Sequence, residues 1–184
     1  MILVGDSVAT VMQGRDTTIP VTMEQMVYHC ELVSRGCSRA LVVGDLPFMS
    51  YQVSISDALR NAGRLLKEGH VEAVKLEGGR AFAPTVEKLV SAGIPVMGHV
   101  GLTPQSINQF GTYKTRGTEQ DEQDQLIDDA LAQEKLAADL IVLMERQDRN
   151  AAARTALPIR FALPDLKSSF VASGRLWIIA GVQP

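Results

Sequence analysis

Three acids stand where short apolar runs give way to polar residues. Ile2-Leu3-Val4 ends at Gly5-Asp6, Ala40-Leu41-Val42-Val43 at Gly44-Asp45, and Ala73-Val74-Lys75-Leu76 at Glu77-Gly78-Gly79. Continuous apolar runs of this length suit parallel strands buried on both faces. Carboxylates at matching strand ends face one pocket, where they repel one another strongly without a cation. A hard divalent ion resolves this, because Mg²⁺ takes oxygen ligands, usually one or two carboxylates with water and substrate. Any one of these acids taken alone reads as a solvated loop residue or a helix cap. Three at matching strand ends favour a metal site made of Asp6, Asp45 and Glu77.

Neighbouring residues extend the site. Lys75 lies two residues before Glu77, so strand alternation puts both on one face. A buried ammonium needs a partner: Lys75 pairs with Glu77, binds a substrate carboxylate, or does both. Ser7 follows Asp6, and its hydroxyl and N–H could hold a carboxylate or keto oxygen. No G-x-S-x-G elbow marks it as a nucleophile. His99, after Pro95-Val96-Met97-Gly98, could orient substrate, move a proton or fill a polar core position. The apolar Leu46-Pro47-Phe48-Met49 stretch after Asp45 suits the wall of a small branched substrate or plain loop packing.

The elements that must position these groups alternate. Ile94-Pro95-Val96-Met97 and Leu140-Ile141-Val142-Leu143 complete a set of five strand-like runs. Between them, Thr22 and Gln25 form a capping box for a helix with Met23, Met26, Val27, Cys30 and Val33 on one face. Gly36 is placed to end it in a left-handed conformation. Ser56 begins a second helix, with Leu59, Ala62, Leu65 and Leu66 inward and Gly69 at its end. Val86, Leu89 and Val90 mark a third, closed by Gly93, and Glu119 to Ala138 a longer one with an acidic face. Strand–helix alternation implies a parallel sheet with right-handed crossovers. An open doubly wound sheet gathers ligands at one switch point, whereas every strand end of a (β/α)₈ barrel points at one central site. Polar ends on four successive runs (Asp6, Asp45, Glu77, His99) fit the barrel, and no G-x-G-x-x-G fingerprint supports a dinucleotide fold. A full barrel takes about 250 residues, so 184 residues imply an incomplete one.

Composition narrows the alternatives. A net charge of −3 and 5% aromatic residues disfavour a nucleic-acid surface. No apolar run approaches the roughly 20 residues of a membrane span, and no signal peptide is visible. The two cysteines, Cys30 and Cys37, read as reduced helix residues, which points weakly to an intracellular compartment.

The stretches "LVGDSVATVMQGRDTTIPVTMEQMVYH", "GDLPFMSYQ", "NAGRLLKEG", "AVKLEGG" and "IPVMGHVGLTPQS" closely resemble the 3-methyl-2-oxobutanoate hydroxymethyltransferase family, from residue 2 to about residue 143. The resemblance implies a (β/α)₈ TIM barrel assembled into homo-oligomers, typically decamers. It implies transfer of a hydroxymethyl group from 5,10-methylenetetrahydrofolate to 3-methyl-2-oxobutanoate, giving 2-dehydropantoate in pantothenate synthesis. It also implies that Asp6 and Asp45 bind Mg²⁺ directly, that Glu77 completes the metal site, and that Asp6, Ser7, Asp45 and Lys75 hold the keto acid. In the family a glutamate after the next strand takes the C3 proton. Here an ungapped comparison puts Met144 at that place, with Glu145 one position late, so Glu145 serves as catalytic base only through a bulge. Residues 1–144 are thus expected to form a partial barrel that lacks the first strand–helix unit and the usual last strands. Residues 145–184 form a divergent tail in which Leu176-Trp177-Ile178-Ile179 could replace a strand. The expected location is the cytoplasm, or the mitochondrion if a targeting segment precedes Met1. Two further readings stand beside this one: a non-catalytic form that keeps the metal and keto-acid site and partners a complete subunit, and a different metal-dependent barrel enzyme acting on 2-oxo acids, which "GHVGLTPQS" disfavours.

Overall fold

The apolar runs fold as strands that all point the same way. A computed structural model describes residues 1–111, 117, 119–134 and 177–180. Within these lie strands β1 (Ile2–Val4), β2 (Val42–Asp45), β3 (Ala73–Glu77), β4 (Val96–Val100) and β5 (Trp177–Ala180). They form one sheet in the order β1-β2-β3-β4-β5, every neighbouring pair parallel. That order separates the two candidate architectures. A doubly wound sheet reverses direction at a switch point, whereas a barrel adds each strand beside the previous one. Up to β4 the chain is therefore an arc of a (β/α) barrel, and among the described residues β1 and β5 form its two ends. The fifth expected run, Leu140 to Leu143, lies outside the described residues.

Helices return the chain between strands. α1 (Val8–Val11) is a single turn after β1, α2 (Met23–Gly36) connects to β2, α3 (Ile55–Lys67) to β3, and α4 (Ala83–Ser91) to β4. α5 (Ile107–Phe110) and α6 (Gln120–Glu134) follow β4. The capping box of α2 is present: Gln25 N–H donates to the Thr22 hydroxyl at 3.3 Å, and Thr22 N–H to the Gln25 side chain at 3.0 Å.

Two expected boundaries are corrected. Gly36 stays within α2 rather than ending it left-handed, and the helix closes at Cys37 in an extended conformation. The second cap is Ser54, not Ser56, because the Ser54 hydroxyl accepts the Asp57 N–H at 3.0 Å. Gly93 does close α4 with φ +84°.

The pleat gives the sheet two different faces. Val42, Val74, Leu76 and Val96 turn outward into the main core beneath α2, α3 and α4, with Met26, Cys30, Ala62, Leu65, Val86 and Leu89. The helices sit so close that a Cβ on Gly44 would lie 3.0 Å from Cys30 Sγ and 3.3 Å from Val71 Cγ1. On the inner face Val43, Ala73 and Met97 form a smaller apolar layer, flanked by Leu41. One step further along the same face come the polar residues.

Candidate active site

β2 runs on through Asp45, β3 through Glu77 and β4 through His99, one or two residues beyond the apolar runs. These side chains are consequently strand residues rather than loop residues, and the pleat aims them. Asp45 is in register with Lys75, and Glu77 with His99. Cross-strand neighbours and i, i+2 neighbours share a face, so all four side chains project from the inner face at its C-terminal end. Asp6 joins them from the turn after β1, where its N–H lies 3.4 Å from Asp45 Oδ2.

The cluster is almost dry. Asp6 is 3% exposed, Asp45 1%, Lys75 4% and Glu77 3%. Lys75 Nζ donates to Asp45 Oδ2 at 2.6 Å and to Glu77 Oε1 at 3.3 Å, so the ammonium stands between the two acids. His99 Nδ1 is 3.2 Å from the same Glu77 Oε1. A carboxylate only accepts, so the proton on the His99 ring faces Glu77. Among the described residues, Nε2 of that ring is buried without a hydrogen-bond partner, as is Asp45 Oδ1.

Burial and charge compete at each group. Burial raises the Asp45 carboxyl to about 7, aided by the charges of Asp6 and Glu77 and only partly opposed by Lys75. Burial also raises Asp6, against the pull of Lys75 and Gln105. At Glu77 burial is the largest influence and acts upward, but the His99 hydrogen bond, Lys75 and the Gln105 N–H together hold the carboxyl below its usual range. Burial disfavours the Lys75 ammonium, and the surrounding acids outweigh it and raise its pKa. Asp6 and Asp45 thus gain from any cation that arrives, while Glu77 is held ionised by the donors around it.

Two polar residues that the sequence reading left without a role complete the site. β2 ends at Asp45, which leaves the main chain of Glu77 without a strand partner on that side. Tyr51 supplies one: its hydroxyl accepts the Glu77 N–H at 3.0 Å and lies 2.9 Å from the Glu77 carbonyl. Gln105 donates to Asp6 Oδ2 at 2.9 Å, and its main-chain N–H to Glu77 Oε2 at 2.9 Å. Both residues sit inside quoted motifs, "GDLPFMSYQ" and "IPVMGHVGLTPQS", but a Tyr or Gln in a loop carries no chemistry that spacing alone reveals.

The family model of ketopantoate hydroxymethyltransferase matches residues 1–159. The chain belongs to this family. Curated relatives named 3-methyl-2-oxobutanoate hydroxymethyltransferase include one from Carboxydothermus hydrogenoformans, 57% identical over 143 residues, and one from Heliobacterium modesticaldum, 55% identical over 143 residues. Each of these alignments covers 78% of this chain and 52% of the relative. A relative from Prosthecochloris aestuarii is 44% identical over 183 residues, which covers 97% of this chain and 66% of the relative. The chain spans about half the length of the first two relatives. The family match extends past residue 143 to residue 159, and the Prosthecochloris alignment covers nearly the whole chain.

The buried carboxylates that would face a Mg²⁺ ion here are those of Asp6 and Asp45. Among the described residues Asp45 Oδ1 is a buried oxygen with no hydrogen-bond partner, and the main-chain N–H of Asp6 lies 3.4 Å from the other oxygen of that carboxylate. Two carboxylates are the usual protein share for this ion. Glu77, the third expected ligand, has Lys75 and His99 at Oε1 and the Gln105 N–H at Oε2. Among the described residues no cluster of three or more His, Cys, Asp or Glu side chains is arranged to hold a metal. Ser7 is exposed at the mouth of the site and makes no side-chain cap bond to α1. Glu145 lies outside the described residues. Among those residues no helix is long and apolar enough to cross a membrane.

Proposed function

We propose that this chain binds 3-methyl-2-oxobutanoate at the Asp6–Asp45–Lys75 cluster and takes part in its hydroxymethylation to 2-dehydropantoate, with 5,10-methylenetetrahydrofolate as donor. One observation carries the reading: a buried cluster of acids around one ammonium at consecutive barrel strand ends, in a family whose relatives are named for this reaction. Lys75 offers positive charge to the substrate carboxylate, and the Ser7 hydroxyl and N–H offer donors at the exposed side. Mg²⁺ held by Asp6 and Asp45 supplies Lewis-acid polarisation of the 2-oxo group when bound. Negative charge that grows on the keto oxygen as the C3 proton leaves then meets Lys75, already fixed by Asp45 and Glu77, so no reorganisation is needed. His99 and Gln105 keep Glu77 ionised, which keeps Lys75 charged. Glu145 is the proposed acceptor of the C3 proton. The remaining proposals are assembly into a homo-oligomer and a location in the cytoplasm, supported by bacterial relatives.

The test separates binding from turnover. Purified chain is titrated with 3-methyl-2-oxobutanoate with and without Mg²⁺, then assayed for 2-dehydropantoate with the folate donor, using Asp45→Ala as control. Mg²⁺-dependent binding that Asp45→Ala abolishes is the expected result. Product formation supports the full transferase, and binding without product favours the non-catalytic assembly-partner reading. Absence of Mg²⁺-dependent binding by the unmodified chain refutes the proposal.

A further inference from the structure

Gln105 touches two acids of the buried cluster, Asp6 through its side chain and Glu77 through its main chain. β4 ends at Val100, Gly101 turns the chain with φ +95°, and Pro104–Ser106 form a single 3₁₀ turn that seats Gln105 over the sheet end, 4% exposed. Its amide nitrogen donates to Asp6 Oδ2 and to the Leu46 carbonyl, each at 2.9 Å. Its amide oxygen lies 3.0 Å from the Tyr51 hydroxyl and accepts from Gln52 Nε2 at 3.2 Å.

A primary amide offers two donors and an acceptor oxygen, and here both N–H groups and the oxygen have partners. The Leu46 carbonyl can only accept, so it requires the nitrogen on its side and thereby fixes which end of the amide faces Asp6. Three segments meet at this one side chain: the turn after β1, the loop after β2 and, through Tyr51 and the main-chain N–H, the end of β3.

We infer that Gln105 is a positioning residue. Its amide sets the orientation of the Asp6 carboxylate, and its main-chain N–H, together with Tyr51, sets that of Glu77. This inference rests on the proposed function and deepens it. Free rotation of Asp6 would leave its second oxygen to be captured by other donors, and the site would meet an incoming 2-oxo acid with one acid misaligned. A locked amide removes that freedom before the ligand arrives. Gln105 itself need not touch the substrate.

The experiment is calorimetric titration of the full chain with 3-methyl-2-oxobutanoate in the presence of Mg²⁺. Gln105→Met keeps the length of the side chain and removes its polar contacts. It is expected to weaken binding by about tenfold or more, as loss of a hydrogen bond to a charged group implies, with an unchanged circular dichroism spectrum. Asn61→Ala is the comparison for general loosening, because Asn61 Nδ2 donates to the Ser50 carbonyl in the loop after β2 and touches neither acid. It is expected to lower the unfolding midpoint while binding stays within about twofold. Unchanged affinity in Gln105→Met overturns the inference. So does an equal loss in Asn61→Ala at the same drop in midpoint.

Should Gln105→Met fail to fold, Gln105→Glu decides the matter. It has the same shape but sets acceptor oxygens against Asp6 and Leu46, so retained affinity overturns the inference and lost affinity supports it. If the unmodified chain binds no 2-oxo acid, the proposed function itself falls and this inference falls with it. Binding by the unmodified chain with an indifferent Gln105 removes only the positioning role.

Discussion

At the scale of single residues, Lys75 holds the site together electrostatically. Its ammonium touches Asp45 and Glu77, and all three side chains are almost fully buried. Removing one member of a buried ion pair leaves an uncompensated charge, which costs about 3–5 kcal/mol. Lys75→Met should therefore lower the free energy of urea unfolding by about that amount at neutral pH. A loss below about 1 kcal/mol, typical of an exposed pair, would mean that water reaches the cluster and that the charges are not mutually dependent. The sequence carried the residue types but not this pairing. It offered Lys75 and Glu77 as strand neighbours, whereas the shorter contact, 2.6 Å, is to Asp45 across the sheet.

Elements decide where those residues point. Asp45 and Glu77 end up inside strands because the sheet register extends β2 and β3 past their apolar runs. Helix α3 is anchored by Ser54, whose hydroxyl both accepts the Asp57 N–H at 3.0 Å and lies 2.7 Å from Asp57 Oδ2. Ser54→Ala is expected to cost about 1 kcal/mol, read as a lower denaturation midpoint with an unchanged denaturant slope. An equal loss in Ser56→Ala with none in Ser54→Ala would restore the boundary first read from the sequence. Helix periodicity identified α2, α3 and α4, but it did not separate two serines two residues apart. That choice depends on which hydroxyl meets a free N–H, a matter of backbone angles.

Over the whole molecule, the carboxyls couple stability to pH. Asp45 is raised to about 7 and Asp6 is raised as well, so between the usual aspartate range and neutrality the folded state holds protons that the unfolded chain has released. Stability from these groups consequently falls as pH rises through that window. Glu77 is shifted down, and its contribution is lost only at lower pH. Lys75 is shifted up, and its contribution is lost only at higher pH, above the ordinary lysine value. Between about pH 5 and 7.5 the aspartates dominate this cluster. Without divalent cation, the melting temperature of the unmodified chain relative to Asp45→Asn should decline across that range. Added Mg²⁺ should raise the midpoint of the unmodified chain more at the upper pH, where the acids are deprotonated. A relative midpoint that climbs with pH, or a Mg²⁺ shift indifferent to pH, would contradict the buried-carboxylate account.

The sequence by itself determined the architecture and the cast. Apolar runs of strand length, helical periodicity between them and acids at the run ends are local patterns, and local patterns survive in a linear string. Asp6, Asp45, Lys75 and Glu77 were legible for that reason. Tertiary structure decided what they do to one another. Only the parallel register sets Asp45 against Lys75, only the end of β2 makes room for Tyr51, and only the turn after β4 brings Gln105 across 99 positions of sequence to Asp6. Those relations depend on distances between strands, and no spacing along the chain encodes them.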